Sequence, residues 1–315
     1  MASLSYVVVD VFTDSVFSGS PLAVVMDGDD AKTSQLSESD MQKIAREFNL
    51  SETVFVVPAV NKKHDCGFKI FSPERQLPFA GHPTVGGVFV LAGQSEAENE
   101  EFIVEELVGP VPVKVTWENG KPFTATLTSA QKPEIDDSPI SRRIAAALLN
   151  LDEEQILGDA WIVSCGLKVT LVEVRDIEAL AAAKFNYSYW TKKGREDNLG
   201  KLYLYTGESS PGSAVRSRCF APAIGITEDP ATGSAAVALA GLLGFRQSSD
   251  GLYNWKVHQG IEMSRPSVLD VSARVEGGEV SETKVGGRVV TVGSGSISIP
   301  AKPNHLVDVD DLKAG

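Results

Sequence analysis

An apolar stretch in the second half of the chain constrains the fold more than any other feature. It runs from Ala235 to Phe245 without a charged residue and follows the polar turn Glu228-Asp-Pro-Ala-Thr-Gly-Ser234. Asp229 is a good N-cap and Pro230 is tolerated at the first helical position, so we expect a helix to begin here. A helix that is apolar all round is buried. The sequence therefore predicts a polar turn at the positive end of a buried helix, a place suited to binding a carboxylate.

The same arrangement occurs once more, in the first half of the chain. The turn Pro78-Phe-Ala-Gly-His-Pro-Thr84 leads into a second apolar stretch, Val85 to Gly93. At a shift of about half the chain, Thr84 matches Thr232, Leu91-Ala-Gly93 matches Leu239-Ala-Gly241, and Phe71-Ser-Pro73 matches Phe220-Ala-Pro222. Two polar turns, each followed by an apolar helix and preceded by Phe-x-Pro, indicate two halves related by duplication.

The charge and the cysteines narrow the classes of function. With 29 Lys and Arg against 42 Asp and Glu, the net charge of −13 argues against a nucleic-acid or anionic-membrane partner. Cys66, Cys165 and Cys219 are scattered and odd in number, so we expect buried, reduced thiols rather than disulfides or a zinc site. No basic segment precedes the first apolar run, and no run reaches the length of a membrane span. These features predict a cytoplasmic protein.

The remaining patterns predict many short strands. Tyr6–Phe12 and Leu22–Met26 are expected to form a hairpin, and a helix with apolar residues at helical spacing is expected to end at Asn49. Glu52 then stands at the corner between that helix and the buried strand Thr53–Val57.

The segment 130–142, with two prolines and two aspartates, is the best candidate for a linker. We therefore predict an α+β fold of two similar domains, residues 1–130 and 131–315, each a curved β-sheet or barrel around its central apolar helix. The final strands, at 279–284 and 288–292, are expected to be able to pack back on the first domain. Strands and helices alternate too irregularly for a doubly wound sheet. No glycine-rich nucleotide motif lies at a strand–helix junction, so no nucleotide cofactor is indicated.

Taken together, these segments resemble the phenazine biosynthesis PhzF-like family over nearly the whole chain. The resemblance is carried by Asp10-Val-Phe-Thr13, Gly19-Ser-Pro-Leu-Ala-Val-Val25, Ala45-Arg-Glu-Phe-Asn-Leu-Ser-Glu-Thr-Val-Phe55, Leu77-Pro-Phe-Ala-Gly-His-Pro-Thr84, Arg218-Cys-Phe-Ala-Pro222, Glu228-Asp-Pro-Ala-Thr-Gly-Ser-Ala235, Gln259-Gly260 and Arg265-Pro-Ser267. The family is similar to diaminopimelate epimerase. The resemblance implies two similar domains, each with a sheet wrapped on a central helix, an active site in the cleft between them, and a homodimer.

The resemblance also implies a reaction. In this family a glutamate moves a proton between two carbons of a small carboxylate substrate, with no metal and no organic cofactor. By the motif match that glutamate is Glu52, and His82, Asp229 and Ser234 complete the catalytic set. A carbon acid is weak, so it needs a desolvated base and a fixed donor for the developing negative charge. The expected partner is a small carboxylic or amino acid substrate.

Five further positions are expected to bind that substrate. They are Gly81 and Gly233, whose amides lie at the two converging helix N-termini, with Thr84, Thr232 and Ser20. Ser20 stands where the family commonly has Asn, and Ser264 stands where Gly usually precedes Arg-Pro-Ser. Either departure could reshape the pocket, so the resemblance defines the reaction class better than the substrate.

Each catalytic assignment has an alternative. Glu52 could be a capping or surface carboxylate, and His82 could bond only to its own turn. Asp229 could only cap its helix, and Ser234 could be present because a small residue packs well there.

Three functions stay open. The first is an isomerase that uses Glu52 as its single acid/base. The second is an amino-acid racemase or epimerase; the related epimerase uses two thiols, at positions matched here to Ala80 and Pro230, neither of which is Cys. That excludes a two-thiol mechanism, and epimerisation would need another group opposite Glu52, such as His82 or Asp229. The third is a non-catalytic protein that binds a small carboxylate.

Overall fold

Two buried helices organise the computed structural model, which describes residues 3–26, 36–95, 98–207 and 210–299. The first half contains β1 (Ser3–Val11), β2 (Ser20–Met26), α1 (Glu38–Phe48), β3 (Glu52–Val57), β4 (Cys66–Phe71), β5 (Gln76–Leu77), α2 (Gly81–Gln94), β6 (Glu101–Glu106), β7 (Gly109–Glu118) and β8 (Lys121–Thr128). The second half contains β9 (Glu134–Ile135), α3 (Arg142–Leu149), β10 (Trp161–Ser164), β11 (Lys168–Glu173), α4 (Ile177–Ala182), α5 (Tyr187–Lys192), β12 (Leu202–Gly207), β13 (Ala214–Ala221), β14 (Ile226–Asp229), α6 (Gly233–Phe245), β15 (Gly251–Gln259), β16 (Ser267–Glu276) and β17 (Glu279–Ser298).

The central helices α2 and α6 are the two apolar stretches of the sequence. Helix α2 packs against β8, β2 and β1, and α6 packs against β16 and β17. Side chains of both helices, such as Val88 and Leu239, belong to one apolar core with the surrounding strands. The fold is the predicted α+β arrangement, in which strands surround each central helix.

The strand pairing repeats between the halves and bears out the duplication. In the first half β3 runs parallel to β2 and antiparallel to β4. In the second half β12 runs parallel to β11 and antiparallel to β13. The two copies of the Phe-x-Pro motif begin at Phe71 and Phe220. Phe71 pairs with Thr53, and Phe220 pairs with Leu202. Thr53 and Leu202 are therefore equivalent residues.

The last strand joins the two halves. β17 pairs with β16 along one edge, and with β1 and β8 of the first half. The prediction of two strands at 279–284 and 288–292 is wrong, since β17 is continuous through Gly286 and Gly287. These glycines admit close neighbours: a Cβ on Gly286 would lie 2.1 Å from the hydroxyl oxygen of Thr126. The domain boundary near residue 130 stays a prediction.

The local predictions in the first half are confirmed. β1 and β2 form an antiparallel hairpin, and α1 is capped by Ser37 and ends at Asn49, which adopts the left-handed conformation. Sequence reasoning missed four short elements: β5, α5, β14, and β9, which lies inside the predicted linker.

The predicted start of the second central helix is wrong by several residues. Asp229 is the last residue of β14, where it pairs with Cys219, so the backbone is still extended at this point. The N-cap is Thr232, and α6 begins at Gly233. The matching element α2 has Ala80 as its N-cap and begins at Gly81. Ala80 is therefore the structural counterpart of Thr232, and it does not correspond to Pro230. Thr84 lies one helical turn further along α2 than Ala80.

Within the described residues, no helix combines the length and the apolar character needed to cross a membrane.

Candidate active site

A cavity of about 340 Å³ lies where the two halves meet. Its wall includes seven residues that the sequence analysis assigned to the site: Glu52, Gly81, His82, Asp229, Thr232, Gly233 and Ser234. The remaining wall consists of residues 75–80, Leu167, Lys201, Ala221, Ile224 and Ile226. The structure therefore brings the four proposed catalytic residues together at one cavity.

The N-termini of α2 and α6 meet in this wall. A Cβ added to Gly81 would lie 2.8 Å from the Cα of Gly233, and one added to Gly233 would lie 3.0 Å from the Cα of Gly81. Neither helix has a side chain that caps its first turn. The first N–H groups of a helix have no partner within the helix and carry its partial positive charge. Two such ends beside one cavity form a site suited to a carboxylate.

Glu52 is the first residue of β3 and only 6% exposed. Its Oε2 lies 3.2 Å from Nε2 of His82. Within the described residues neither atom has a hydrogen bond of good geometry, so the two groups are close neighbours rather than a bonded pair. Burial raises the pKa of Glu52 well above its usual value, the charge of Asp229 raises it further, and Lys201 opposes the change. Glu52 is thus a desolvated carboxyl whose protonated form is favoured by burial.

His82 is the second residue of α2 and is almost fully buried. Burial lowers the pKa of His82 to about 3. The imidazole is therefore neutral at physiological pH, and it contacts Glu52 as a polar but uncharged group.

Asp229 presents a second buried carboxyl to the cavity. Its Oδ2 accepts a 2.5 Å hydrogen bond from the hydroxyl of Thr232, while Oδ1 is buried with no partner among the described residues. Burial raises the pKa of Asp229; the bonds from Thr232 and the Ala231 amide, and the nearby Lys201 cation, oppose this change. Asp229 therefore has one oxygen available to a substrate, and it orients the N-cap rather than being the cap.

Gln259 fixes the turn between Asp229 and α6. Its Nε2 donates to the carbonyl of Asp229 at 2.7 Å and to the Thr232 hydroxyl at 3.0 Å. Its Oε1 accepts from the Thr232 amide at 3.1 Å and from the Tyr203 hydroxyl at 3.0 Å. The buried amide is thus fully bonded, and it ties the site to β12 and β15. The only sequence signal for this role was the Gln259-Gly260 segment of the family resemblance.

Sequence reasoning missed two cations in the cavity wall, Arg75 and Lys201. Lys201 is half-buried immediately before β12. Burial lowers the pKa of Lys201, against the opposing charges of Cys219, Asp229 and Glu52, and Arg75 lowers it further. The sequence signal for Lys201 was the repeated Phe-x-Pro motif. Its second copy begins at Phe220, which pairs with Leu202, the residue that follows Lys201.

The structure does not place Thr84 and Ser20 at the cavity wall. Thr84 is buried inside α2, where its hydroxyl bonds to the Ala80 carbonyl at 2.8 Å and to Oε1 of Glu106 at 2.5 Å. Ser20 is fully buried at the start of β2. Ser264 also lies outside the wall; it adopts φ 58°, a left-handed conformation that suits the Gly usual in the family.

The described residues contain no group of three or more His, Cys, Asp or Glu side chains able to hold a metal ion. Cys66, Cys165 and Cys219 are buried and outside any disulfide, as predicted. The two helix N-caps are Ala80 and Thr232, so neither central helix presents a thiol at its N-cap.

Comparisons with known proteins identify the family. The family model described as "Phenazine biosynthesis-like protein" matches residues 9–295. The chain is 36% identical over 311 residues to an uncharacterized isomerase of Mesorhizobium japonicum, covering 95% of this chain and all of the relative. It is 31% identical over 303 residues to trans-2,3-dihydro-3-hydroxyanthranilate isomerase of Pseudomonas chlororaphis, covering 93% of this chain and 98% of that relative. The solved structure of a PhzF family protein from Bacillus anthracis superposes with a TM-score of 0.81 at 22% identity, covering 95% of this chain and 100% of that one.

The paired helices and the cavity beside their N-termini define a protein with the diaminopimelate epimerase-like fold, and the two relatives named above are called isomerases. This chain belongs to the phenazine biosynthesis-like family, of PhzF type, and is an isomerase.

Proposed function

We propose that this isomerase moves a proton between two carbons of a small amino or hydroxy carboxylic acid, without a cofactor, and that Glu52 is its general acid/base. One observation carries the proposal: the buried carboxyl of Glu52 lies in the same cavity wall as the paired N-termini of α2 and α6. The helix N-termini can bind the substrate carboxylate, and Glu52 can exchange a proton with a carbon. A carbon acid that is activated by its own carboxylate needs both groups.

The substrate carboxylate is placed at the amides near Gly81 and Gly233. There the helix ends stabilise the negative charge that spreads into the carboxylate when a neighbouring carbon loses its proton. Glu52 takes that proton and becomes neutral, which burial favours. It then delivers the proton to a second carbon of the conjugated system, as the double bond moves. Each cycle leaves Glu52 as it began.

The other polar groups hold the reacting atoms in place. Neutral His82 lies against the carboxyl of Glu52 and orients it without adding a charge. The free oxygen of Asp229 and the hydroxyl of Ser234, at the N-terminus of α6, supply polar contacts to the amino or hydroxy group of the substrate. Hydrogen bonds of this kind fix the orientation that proton transfer requires.

A relative's named activity supplies the first compound to test. Wild-type protein is assayed with trans-2,3-dihydro-3-hydroxyanthranilate, and binding of 2-aminobenzoate, a planar carboxylate, is measured by calorimetry. Glu52→Gln is expected to bind 2-aminobenzoate as the wild type does and to lose turnover by about 10²–10⁴-fold. Glu106→Gln is the matched control, since Glu106 is also buried but bonds to Thr84, away from the cavity.

The outcomes separate the open functions. Turnover by Glu52→Gln at the wild-type rate contradicts Glu52 as the acid/base. Binding of the planar carboxylate without turnover of any small carboxylic acid by the wild type favours a binding protein over an enzyme.

A further inference from the structure

Lys201 is the counterpart of Glu52 in the second half of the molecule. Thr53 and Leu202 are equivalent residues by strand register, so the residues immediately before them are equivalent as well. Both Glu52 and Lys201 line the cavity. The duplication therefore gives the site an acidic group from one half and a basic group from the other, at the same position of the repeated fold.

The contact between the central helices relates the two halves by a local two-fold axis. Gly81 and Gly233 are the first residues of the two central helices, and they contact each other. When equivalent residues of two halves contact each other in this way, a two-fold axis relates the halves. The axis therefore passes between these glycines. Since Glu52 and Lys201 are equivalent, they lie on opposite sides of the same axis.

This placement determines which faces of a substrate the two groups meet. A carboxylate bound by both helix N-termini lies at the axis, and so does the carbon bonded to it. Glu52 and Lys201 then approach that carbon from opposite sides. Epimerisation requires such a pair, because one group removes a proton from one face while the other delivers a proton to the opposite face.

The surroundings of Lys201 suit proton transfer better than a fixed ion pair. No carboxylate oxygen among the described residues lies within 4 Å of its ammonium nitrogen, although Glu52 and Asp229 act on it through space, as do Arg75 and Cys219. Burial lowers the pKa of Lys201 and raises the pKa of Glu52. The Glu52 carboxylate and the Lys201 ammonium together hold as many protons as the Glu52 carboxylic acid and the Lys201 amine. The pair can therefore begin the reaction from either substrate epimer.

We propose that Lys201 is a second acid/base group opposite Glu52 and that this chain epimerises small amino acids at the carbon next to the carboxylate. The Glu52 carboxylate takes the proton from one face, the electron pair passes into the substrate carboxylate, and the Lys201 ammonium protonates the opposite face. The reverse reaction begins with the Lys201 amine and the Glu52 acid. The inference rests on the proposed function, because it needs Glu52 to contact the substrate.

A titration of the protein alone tests the pairing. Competitive acetylation of lysine amines over neutral to alkaline pH, read by peptide mass spectrometry, compares Lys201 with the exposed Lys192. Lys201 is expected to react at lower pH than Lys192. In Glu52→Gln its titration is expected to move lower still, since a negative charge is lost. A Lys201 that titrates with Lys192 and does not respond to Glu52→Gln overturns the proposal.

Proton exchange tests the catalysis. The α-protons of L- and D-proline and of L- and D-aspartate are followed by NMR in D₂O with wild type, Lys201→Met and the surface control Lys192→Met. We expect wild type and Lys192→Met to invert at least one of these amino acids, with deuterium entering the product. We expect Lys201→Met to lose inversion by about 10²–10⁴-fold while Glu52 still exchanges the α-proton of one enantiomer with retention. Inversion by Lys201→Met at the wild-type rate overturns the proposal.

The same variants separate this inference from the proposed function. If Lys201→Met loses inversion but still isomerises trans-2,3-dihydro-3-hydroxyanthranilate, both the inference and the proposed function are supported. If wild type isomerises this compound but inverts none of the amino acids, the epimerisation is overturned while Glu52 remains the acid/base of the proposed function. If wild type turns over none of these compounds, the inference and the proposed function both fail.

Discussion

Gly81 and Gly233, the first residues of the two central helices, contact each other backbone to backbone. A methyl group on Gly81 would lie 2.8 Å from the Cα of Gly233 and 3.1 Å from the amide nitrogen of Ser234. Only residues without a side chain allow the two helix ends to approach this closely. Because the ends lie side by side, one anion can contact both.

Gly81→Ala and Gly233→Ala test this contact. Each methyl group would force the helix ends apart, so we expect a loss of about 1–3 kcal/mol in the free energy of unfolding and much weaker binding of 2-aminobenzoate. Gly93→Ala, near the end of α2, is the control. Its methyl group would meet only Pro122 at 3.7 Å, so unfolding free energy should stay unchanged or rise by up to about 1 kcal/mol. Urea denaturation and calorimetry give both quantities, and normal binding by both variants would contradict a carboxylate site at the paired helix ends.

The two central helices could be predicted from the sequence because their signal is local. Two uncharged apolar runs, each after a polar turn, have few solutions other than buried helices. Glu52 was placed at the site by its motif, at the corner before a buried strand. The structure confirms that corner, since β3 begins at Glu52.

The start of α6 and the role of Lys201 depend on contacts that the local sequence does not carry. Asp229 and Pro230 form a good helix start by propensity, yet the pairing of Asp229 with Cys219 keeps the chain extended. Lys201 follows a loop with no site motif. Its place in the cavity comes from the register of β12 with β13, a pairing that no local pattern around Lys201 specifies.

Glu106 should make stability fall as pH rises. Burial raises its pKa from 4.5 to about 8 in the folded protein. Between these two values the unfolded chain releases a proton that the folded chain keeps, so the free energy of unfolding decreases by about 1.4 kcal/mol for each unit of pH. Below the lower value both states are protonated, so this stabilising contribution is fully present there and is lost as pH rises through the folded-state pKa.

Glu106→Gln should therefore flatten the decline in unfolding free energy between these pH values. Urea denaturation across the range measures the slope, which separates the titration from any loss of stability that does not depend on pH. Glu105→Gln is the control, since hydrogen bonds from the Asn61 and Val60 amides lower the pKa of Glu105, a change of opposite sign. An unchanged slope in Glu106→Gln would contradict the assignment.

Gln259→Leu should loosen the turn that holds Asp229 and Thr232. The variant removes four hydrogen bonds and leaves two buried backbone groups without their partner, so we expect a loss of about 2–4 kcal/mol in the free energy of unfolding. Turnover should fall as well, because the carboxyl of Asp229 and the start of α6 are no longer fixed. As a control, Gln247→Leu removes the side-chain bond to the Leu243 carbonyl and should cost about 1 kcal/mol with normal turnover. Equal losses of stability and turnover in the two variants would contradict a special role for Gln259.

Thiol reagents should leave the native enzyme active. All three cysteines are buried, and burial raises the pKa of Cys165 to about 11 and that of Cys219 to about 12. Few thiolates exist at neutral pH, and the thiolate is the reactive form. Iodoacetamide should therefore modify the three cysteines only after denaturation, as read by mass spectrometry. Rapid alkylation of the folded protein with loss of turnover would point to thiol chemistry at the site.

The proposed reaction depends most on Glu52 as the group that moves the proton. The most direct measurement is proton NMR in D₂O of trans-2,3-dihydro-3-hydroxyanthranilate with wild type and with Glu52→Gln. We predict that wild type moves the double bond and places hydrogen or deuterium at a new carbon, and that Glu52→Gln binds the compound but does neither. Isomerisation by Glu52→Gln at the wild-type rate would contradict this role for Glu52.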